Sequence, residues 1–343
     1  MGIRRLTRAG VRAGKAGIGA LLASLSAWFM GAGLALAEEV AGMPTDKAIH
    51  LQKSASDIKD AAITFHNWIL LPVITIIVVL VMVLLLWIIV RFNKRANPVP
   101  ARFSHNTAIE IIWTVVPVLI LVYIAMFSFS LMRKYEAMPD PDVVVKATGY
   151  QWYWSYDYPE LGVEGVESRL LPEAREIDSA KAANVPFLLG VDNELIVPVN
   201  KVVQVQVTAY DVIHAFALPA FGVKSDAVPG RLNNVWFKSR ETGIFYGQCS
   251  ELCGIDHAYM PIAIRVVTEK EFDDYIIAAG GKTRAQIAQE AAAAKLAEDK
   301  AAAEAAAASA AAPAEEAATD ASAAAAPTSD AEGAAASAAP AAQ

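Results

Sequence analysis

The chain has 343 residues, of which 55% are hydrophobic, and its formal net charge at pH 7 is -7. The hydrophobic share exceeds the soluble average of about 45 to 50%, so a purely soluble protein is a poor match. The net negative charge argues against a nucleic-acid partner, because phosphate groups repel an acidic surface.

The first 37 residues combine five positive charges, no acids, a run of small apolar residues and the triplet Ala35–Leu36–Ala37. This order of a basic region, an apolar region and a small-residue cleavage site predicts a secretory signal over residues 1–37. An uncleaved first membrane anchor is the alternative. Without those five positive charges the net charge falls from -7 to -12, which makes the mature chain plainly acidic.

Two uncharged apolar runs of 22 residues follow, at 69–90 and 111–132. Each reaches about 33 Å as a helix, which is enough to cross a hydrocarbon core of about 30 Å. We therefore predict transmembrane helices at about 67–91 and 109–133, within a segment that spans residues 38–134.

Residues 91–106, the loop that follows the first run, carry four basic residues and no acid, namely Arg91, Lys94, Arg95 and Arg102. Short basic loops stay on the cytoplasmic side of a membrane, so both flanks are expected outside. The sequence thus predicts a multi-pass protein of a bacterial inner membrane, in contact with the lipid bilayer, whose C-terminal domain is periplasmic.

Residues 135–280 contain short runs rich in β-branched and aromatic residues, such as "KVVQVQVTAY" and "PIAIRVV", separated by turn signals. This pattern predicts an exported domain built as a β-sandwich or Greek-key barrel. Residues 162–184 are polar and patternless, so we expect a long loop there. Residues 281–343 are dominated by alanine and have few large apolar residues, which predicts a disordered or partly helical tail.

Both cysteines of the chain lie in "YGQCSELCGIDHAYMP", where Cys249 and Cys253 precede His257 and Met260, and His214 lies 35 residues before the first cysteine. A disulfide is the first interpretation for an exported domain, but it leaves His257 and Met260 unexplained. Zinc accepts cysteine and histidine, but it has no use for Met260. Copper explains most of these residues, because thiolate, imidazole and thioether form the soft ligand set that selects copper. Two cysteines exceed what a single blue-copper ion needs, and thiolates that bridge two ions would hold a binuclear centre.

The segment "GQCSELCGIDHAYMP" resembles the copper loop of cytochrome c oxidase subunit II. The resemblance extends over about residues 66–267 and includes "EIIWTVVP", "GYQWYWSYDY" and "DVIHAFALPAFGVKSDAVPGRLN". It implies a two-transmembrane-helix hairpin followed by an exported cupredoxin-like Greek-key β-barrel. One departure is Tyr150, which stands where a histidine is common in the family.

The resemblance also implies a ligand set for two copper ions. The side chains of five residues would bind them, together with the main-chain carbonyl of Glu251: His214, Cys249, Cys253, His257 and Met260. The carboxylate of Glu251 would bind a magnesium ion that is shared with subunit I.

Two further residues acquire roles from the resemblance. Trp152 would lie over the copper pair and receive electrons, although a buried aromatic strand is the alternative explanation. Glu110 would stand at the cytoplasmic mouth of a proton pathway, although a solvated helix N-terminus would equally suit its charge.

The function implied is electron entry into cytochrome c oxidase, from reduced cytochrome c to the copper pair and then to haem in subunit I. The chain has no Cys-x-x-Cys-His haem motif, so O2 reduction and most proton pumping belong to a partner subunit. The expected partners are the haem-bearing subunit I and subunit III. Residues 136–281 hold 21 acids and 11 bases, a charge suited either to solubility or to docking a basic donor. Asp157 and Asp211 are the docking residues we predict. A zinc or disulfide scaffold and a copper-delivery protein are the rival functions.

Overall fold

The computed structural model describes residues 42–45, 47–99 and 101–310. The predicted signal at 1–37 and the last part of the predicted tail, 311–343, lie outside the described residues. Two long helical segments come first along the described chain. Helix α1 (Asp57–Phe65) continues through a π-helical turn (His66–Leu70) into α2 (Leu71–Arg91), and α3 (Thr107–Glu136) follows after a short loop.

Both helical segments are apolar over most of their length, and their most apolar stretches are not buried within the chain. A helix that is apolar on all sides needs an apolar environment, which a lipid bilayer supplies. The two predicted helices are thus present, with wider bounds than predicted. Helix α3 begins where Asn106 caps it, because the Asn106 side chain accepts hydrogen bonds from the N–H groups of Ala108 and Ile109 at 3.1 and 3.3 Å.

Within the described residues, ten strands form two five-stranded sheets. The first sheet, in spatial order, contains β3 (Val163–Ser168), β2 (Tyr153–Tyr158), β1 (Val143–Tyr150), β5 (Val203–Ala209) and β8 (Asn233–Phe237). The second contains β4 (Leu195–Pro198), β10 (Pro261–Val267), β9 (Gly243–Cys249), β6 (His214–Leu218) and β7 (Val223–Ala227).

The two sheets enclose one apolar core. In β5 every second residue is buried, which is the alternation that a strand with one face on a core requires. The largest fully buried side chains are aromatic, among them Trp154, Tyr156, Phe216 and Phe245. Most neighbouring strands are antiparallel, while β1 pairs with β5 and β10 with β4 in parallel. The predicted fold class, two apolar helices followed by a β-sandwich, is confirmed.

The prediction of a long loop at 162–184 is wrong. This segment contains β3, a 3₁₀ helix (Pro172–Arg175) and helix α4 (Ile177–Ala183). Strand β3 lies at the edge of its sheet and carries Gly165 with φ of +73°, so its apolar alternation is broken. Pairing with β2, rather than a local pattern, makes this segment a strand.

Two helices complete the described chain. Helix α5 (Glu269–Ala278) interrupts the region predicted as β, and it begins with a capping box formed by Thr268 and Glu271. Its residues Phe272 and Ile276 are buried in the core. Helix α6 (Arg284–Ala310) is rich in alanine, in accord with a partly helical tail, and residues 288–307 are exposed along its length.

The start of α1 is attached to the β-domain. Ser56 is buried, and its hydroxyl donates to the carbonyl of Phe221 at 2.8 Å while it accepts from the N–H of Lys59 at 3.1 Å. Arg240, in the turn before β9, forms ion pairs with Asp57 and Asp60 of α1. The membrane hairpin therefore joins the β-domain at α1 as well as through the covalent link after α3.

We expect Ser56→Ala to lower the free energy of unfolding by about 1 to 2 kcal/mol, because it removes a helix cap and leaves a buried carbonyl without its donor. Thermal unfolding of the detergent-purified full chain measures this. The control is Thr64→Ala, which deletes a hydroxyl that only bonds the Asp60 carbonyl within the helix. Equal destabilisation by the two variants would contradict the assigned role of Ser56.

Candidate metal centre

The candidate ligands meet at one end of the second sheet. Strand β6 begins at His214, and β9 ends at Cys249, which lies opposite Phe216 of β6. Strands β9 and β10 are antiparallel neighbours, so the loop between them must turn back on itself. That loop carries Cys253 and a short 3₁₀ helix (His257–Tyr259), and Met260 follows directly before β10.

Two sulfur atoms form the centre of the site. The Sγ atoms of Cys249 and Cys253 lie 3.9 Å apart and are not bonded to each other. The Nδ1 atom of His214 lies 3.9 Å from Cys249 Sγ, and Nδ1 of His257 lies 3.5 Å from Cys253 Sγ. Both imidazoles thus lie beside the sulfur pair, and a ring nitrogen of His214 is within 4.8 Å of both sulfurs.

Two weaker donors complete the group. The thioether sulfur of Met260 lies 3.5 Å from Cys253 Sγ, and the carbonyl oxygen of Glu251 lies 3.3 Å from Cys249 Sγ. His214, both cysteines and Met260 are buried, while His257 is half-buried. All six donors predicted from the sequence are therefore brought together, and this soft set fits copper better than zinc, which would leave the thioether unused.

The two thiols differ in acidity. Burial raises the pKa of Cys249, but hydrogen bonds from His214 and from main-chain groups outweigh it and lower the pKa to about 7. Burial and the neighbouring charge of Cys249 raise the pKa of Cys253 to about 12. These shifts favour one negative charge over two on the sulfur pair, and a cation between the sulfurs would remove their mutual repulsion.

Comparison with known proteins agrees with this geometry. The family model "Cytochrome C oxidase subunit II, periplasmic domain" matches residues 143–267, and the transmembrane-domain model of the same subunit matches residues 44–131. The chain is similar to cytochrome c oxidase subunit 2 of Cereibacter sphaeroides, with 45% identity over 71% of this chain and 84% of the relative.

The chain belongs to the cytochrome c oxidase subunit II family.

Two other relatives extend the comparison. A probable cytochrome c oxidase subunit 2 of Rickettsia conorii is 47% identical over 69% of this chain and 73% of the relative. The solved periplasmic domain of subunit II from Bradyrhizobium japonicum is 59% identical and covers 42% of this chain and 96% of that structure, with a TM-score of 0.38. Family membership makes the chain a membrane-embedded component of cytochrome c oxidase, and it implies a copper centre in the periplasmic domain.

Asp211 supports the first histidine. Its carboxylate accepts hydrogen bonds from Nε2 of His214 at 2.9 Å, from the N–H of Gln151 at 2.7 Å and from the N–H of Val212 at 2.6 Å. Burial opposes ionisation of Asp211, but these bonds, that of His214 first, lower its pKa. A carboxylate on the outer nitrogen leaves Nδ1 of His214 directed at the sulfurs, as is usual for metal-binding histidines.

Trp152 lies against the same loop. It occupies the turn between β1 and β2, and its Nε1 is 3.4 Å from the carbonyl oxygen of Cys253. The side-chain amide of Gln151 donates to that oxygen at 2.8 Å. Gly254 allows this approach, because a Cβ atom there would lie 2.9 Å from the indole ring. The carbonyl group of a predicted metal ligand is therefore in direct contact with Trp152.

Sequence reasoning overlooked Trp154. Its indole is fully buried, donates from Nε1 to the carbonyl of Met260 at 3.3 Å and meets the His214 ring edge-on at 6.1 Å between centroids. The signal for it was the alternation of β2, in which residues 154, 156 and 158 face the core. Trp154 thus packs behind two predicted ligands, while Trp152 lies outside them.

The remaining predicted residues lie apart from the sulfur pair. Glu110 is in the first turn of α3, about 39 Å along the helix from its last residue. Asp157 is paired with Lys146 at 3.2 Å and accepts from the N–H of Gly165 at 2.8 Å. The side chains of Asp157 and Asp211 are thus engaged within the chain, and their part in docking stays a prediction.

Gly149 lies directly beside the His214 ring. A Cβ atom at this position would be 2.9 Å from Cδ2 and 3.0 Å from Cγ of that ring. Because His214 is fully buried between strands, its ring has little room to move away.

Gly149→Ala is expected to displace the His214 ring and weaken metal binding by about 10-fold or more, comparable to loss of a supporting contact. The copper content and visible spectrum of the purified oxidase measure this. Gly190→Ala is the matched control, since its added Cβ would meet neighbours at ordinary distances of 3.4 Å and above. Unchanged copper in Gly149→Ala would show that the ring is less confined than the packing indicates.

Proposed function

We propose that the chain is the electron-entry subunit of cytochrome c oxidase. It accepts electrons from reduced cytochrome c at a binuclear copper centre and passes them to haem in subunit I, where O2 is reduced to water and protons are pumped. The observation that supports this proposal is the arrangement of two unbonded thiols 3.9 Å apart, with the Nδ1 atoms of His214 and His257 beside them at 3.9 and 3.5 Å.

The proposed ligands are the side chains of His214, Cys249, Cys253, His257 and Met260 and the carbonyl of Glu251. Copper held by these residues would supply a one-electron couple. The chain contributes a dry, closely packed pocket, because four of the five side-chain donors are buried and held by strands or by the turn at β10.

Trp152 is the proposed point of electron entry. Two residues before it in the chain, Tyr150 stacks on Tyr153 with ring centroids 4.8 Å apart, and on Tyr210 at 5.2 Å. Tyr210 is 76% exposed, so the stack reaches the surface. An aromatic surface that leads to Trp152 and to the Cys253 carbonyl suits contact with the edge of a donor's redox group.

The acidic charge of residues 136–281 supports a basic donor, whose association would be accelerated by opposite charge and slowed by salt. Asp157 and Asp211 remain our proposed docking residues. Since both carboxylates already bind groups of this chain, their contribution to docking would be electrostatic rather than a new ion pair.

The proposed partners extend to the membrane and to subunit III. The exposed Glu251 carboxylate would bind magnesium together with subunit I, while its carbonyl faces Cys249. Glu110, in the first turn of α3, would stand at the mouth of a proton pathway on the cytoplasmic side. The basic loop between the hairpin helices supports this orientation in a bacterial inner membrane, with the β-domain in the periplasm.

Electron paramagnetic resonance of the purified oxidase tests the copper pair. One unpaired electron shared by two copper nuclei produces a seven-line hyperfine pattern, and we expect Cys253→Ser to abolish it. A four-line pattern in the unmodified protein would indicate a single ion. Zinc without copper, or thiols found crosslinked, would contradict the proposal altogether.

Trp152→Phe tests electron entry. The shorter ring lacks the indole N–H that contacts the Cys253 carbonyl, so we expect the rate of cytochrome c oxidation to fall at least about 10-fold, about 1.4 kcal/mol in barrier, with the copper spectrum unchanged. Trp236→Phe is the control, because Trp236 donates to the Tyr135 carbonyl at the junction with α3. Equal rates in the two variants would remove Trp152 from the pathway.

A further inference from the structure

Arg175 connects the segment around α4 to the metal-binding loop. It ends the 3₁₀ helix Pro172–Arg175, and its Nη2 lies 2.9 Å from Oδ1 of Asp256. Its guanidinium carbon also lies 4.3 Å from the ring centroid of Tyr259. Asp256 directly precedes His257, and Tyr259 is two residues after it, so one guanidinium holds both sides of this histidine.

The base from which Arg175 extends is well anchored. Ala174 is fully buried, its N–H donates to the Leu171 carbonyl at 3.0 Å, and its carbonyl accepts from the N–H of Leu188 at 2.9 Å. Leu171 in turn donates to the Gly190 carbonyl at 3.0 Å. Because the backbone next to Arg175 is fixed by these hydrogen bonds, its side chain can restrain the metal-binding loop.

The two histidines of the site have unequal support. His214 belongs to a central strand, is fully buried and bonds Asp211 through its outer nitrogen. His257 is half-buried on a three-residue 3₁₀ helix that has no side-chain cap. Among the described residues, no carboxylate or main-chain group bonds the His257 ring, whose nitrogen contacts are with the cysteine sulfurs, including Nδ1 at 3.5 Å from Cys253 Sγ. The orientation of His257 therefore depends on its short helix, and that helix is held by Arg175.

We infer that Arg175 is a positioning residue that keeps His257 directed at Cys253. The inference rests on the proposed copper function, because only then is His257 a metal ligand. Whether Arg175 restrains the loop can be measured separately from copper binding. It assigns a role to the segment 169–190, which neither touches the sulfur pair nor shows a pattern in the sequence.

Arginine is suited to this double contact. Its planar guanidinium can bond a carboxylate at its edge while its face stacks on an aromatic ring. Lysine keeps the charge but cannot make both contacts with one planar group. The ion pair contributes little free energy alone, because Arg175 and Asp256 are both partly exposed. The restraint of the loop therefore comes from the ion pair and the aromatic contact together.

The experiment compares four forms of the assembled oxidase: unmodified, Arg175→Gln, Arg175→Lys and the control Arg265→Gln. Arg265 is as exposed as Arg175 and pairs with Glu194 away from the loop, so its substitution makes the same change of charge. The readouts are the rate of copper loss to a chelator, the copper hyperfine pattern and hydrogen exchange of the amides at 254–260 compared with those at 214–218.

For Arg175→Gln we expect copper loss about 10-fold faster, a less symmetric hyperfine pattern and faster exchange at 254–260 only, with an intermediate result for Arg175→Lys. Behaviour like the unmodified protein, or an equal effect of Arg265→Gln, would overturn the inference. If the unmodified oxidase holds no copper, the proposed function fails, and the exchange data alone then decide whether Arg175 restrains the loop.

Discussion

The structure depends on one constraint, which is that two thiols stay close together, buried and unbonded. The Sγ atoms of Cys249 and Cys253 are 3.9 Å apart, a distance at which two thiolates repel each other strongly in a dry pocket. Burial and repulsion from Cys249 raise the pKa of Cys253, while hydrogen bonds lower that of Cys249. The loop tolerates it because both of its ends are paired strands, β9 before Cys249 and β10 after Met260. A cation between the sulfurs would replace this repulsion with attraction. The folded chain thus holds the two sulfurs in an arrangement suited to a metal ion.

The groups that orient the donors come from outside the loop. Asp211, between β5 and β6, directs His214, and Trp154 of β2 supports Met260 from within the core. Arg175, from the segment before α4, holds the turn that carries His257. These supporting residues come from different parts of the domain, so the geometry of the site depends on how the whole sandwich packs. Substitutions well away from the sulfur atoms can therefore alter the metal centre.

Gln151 and Asp211 also join the surface to the site. The N–H of Gln151 bonds Asp211, its side chain bonds the Cys253 carbonyl, and Trp152 follows it in the chain. The aromatic residue proposed to receive electrons is thus attached to both the histidine side and the cysteine side of the pocket. At the other end of the domain, Ser56 and Arg240 hold α1 against the sandwich. Together these contacts give the domain a definite attachment to the membrane hairpin.

The amino-acid sequence by itself determined the elements whose signal is local. Two uncharged runs of 22 residues suffice to indicate the hairpin, since a bilayer selects for length and apolarity alone. Residue types likewise indicated the five side-chain donors, because few metals use thiolate, imidazole and thioether together, while the Glu251 carbonyl followed only from the resemblance to the family. The sequence did not indicate that α1 begins as early as Asp57, because that start depends on the hydrogen bond from Ser56 to the carbonyl of Phe221, which is distant in the chain.

Only the tertiary structure decided which residues support those donors. Strand β3 exists because it pairs with β2, and Arg175 reaches Asp256, 81 positions later, only after both sheets are packed. The same holds for Trp154, which looks like any core aromatic until its N–H is seen on the Met260 carbonyl. Hydrogen bonds between residues far apart in the chain leave no periodic pattern, and for that physical reason the ligands could be predicted but their supports could not.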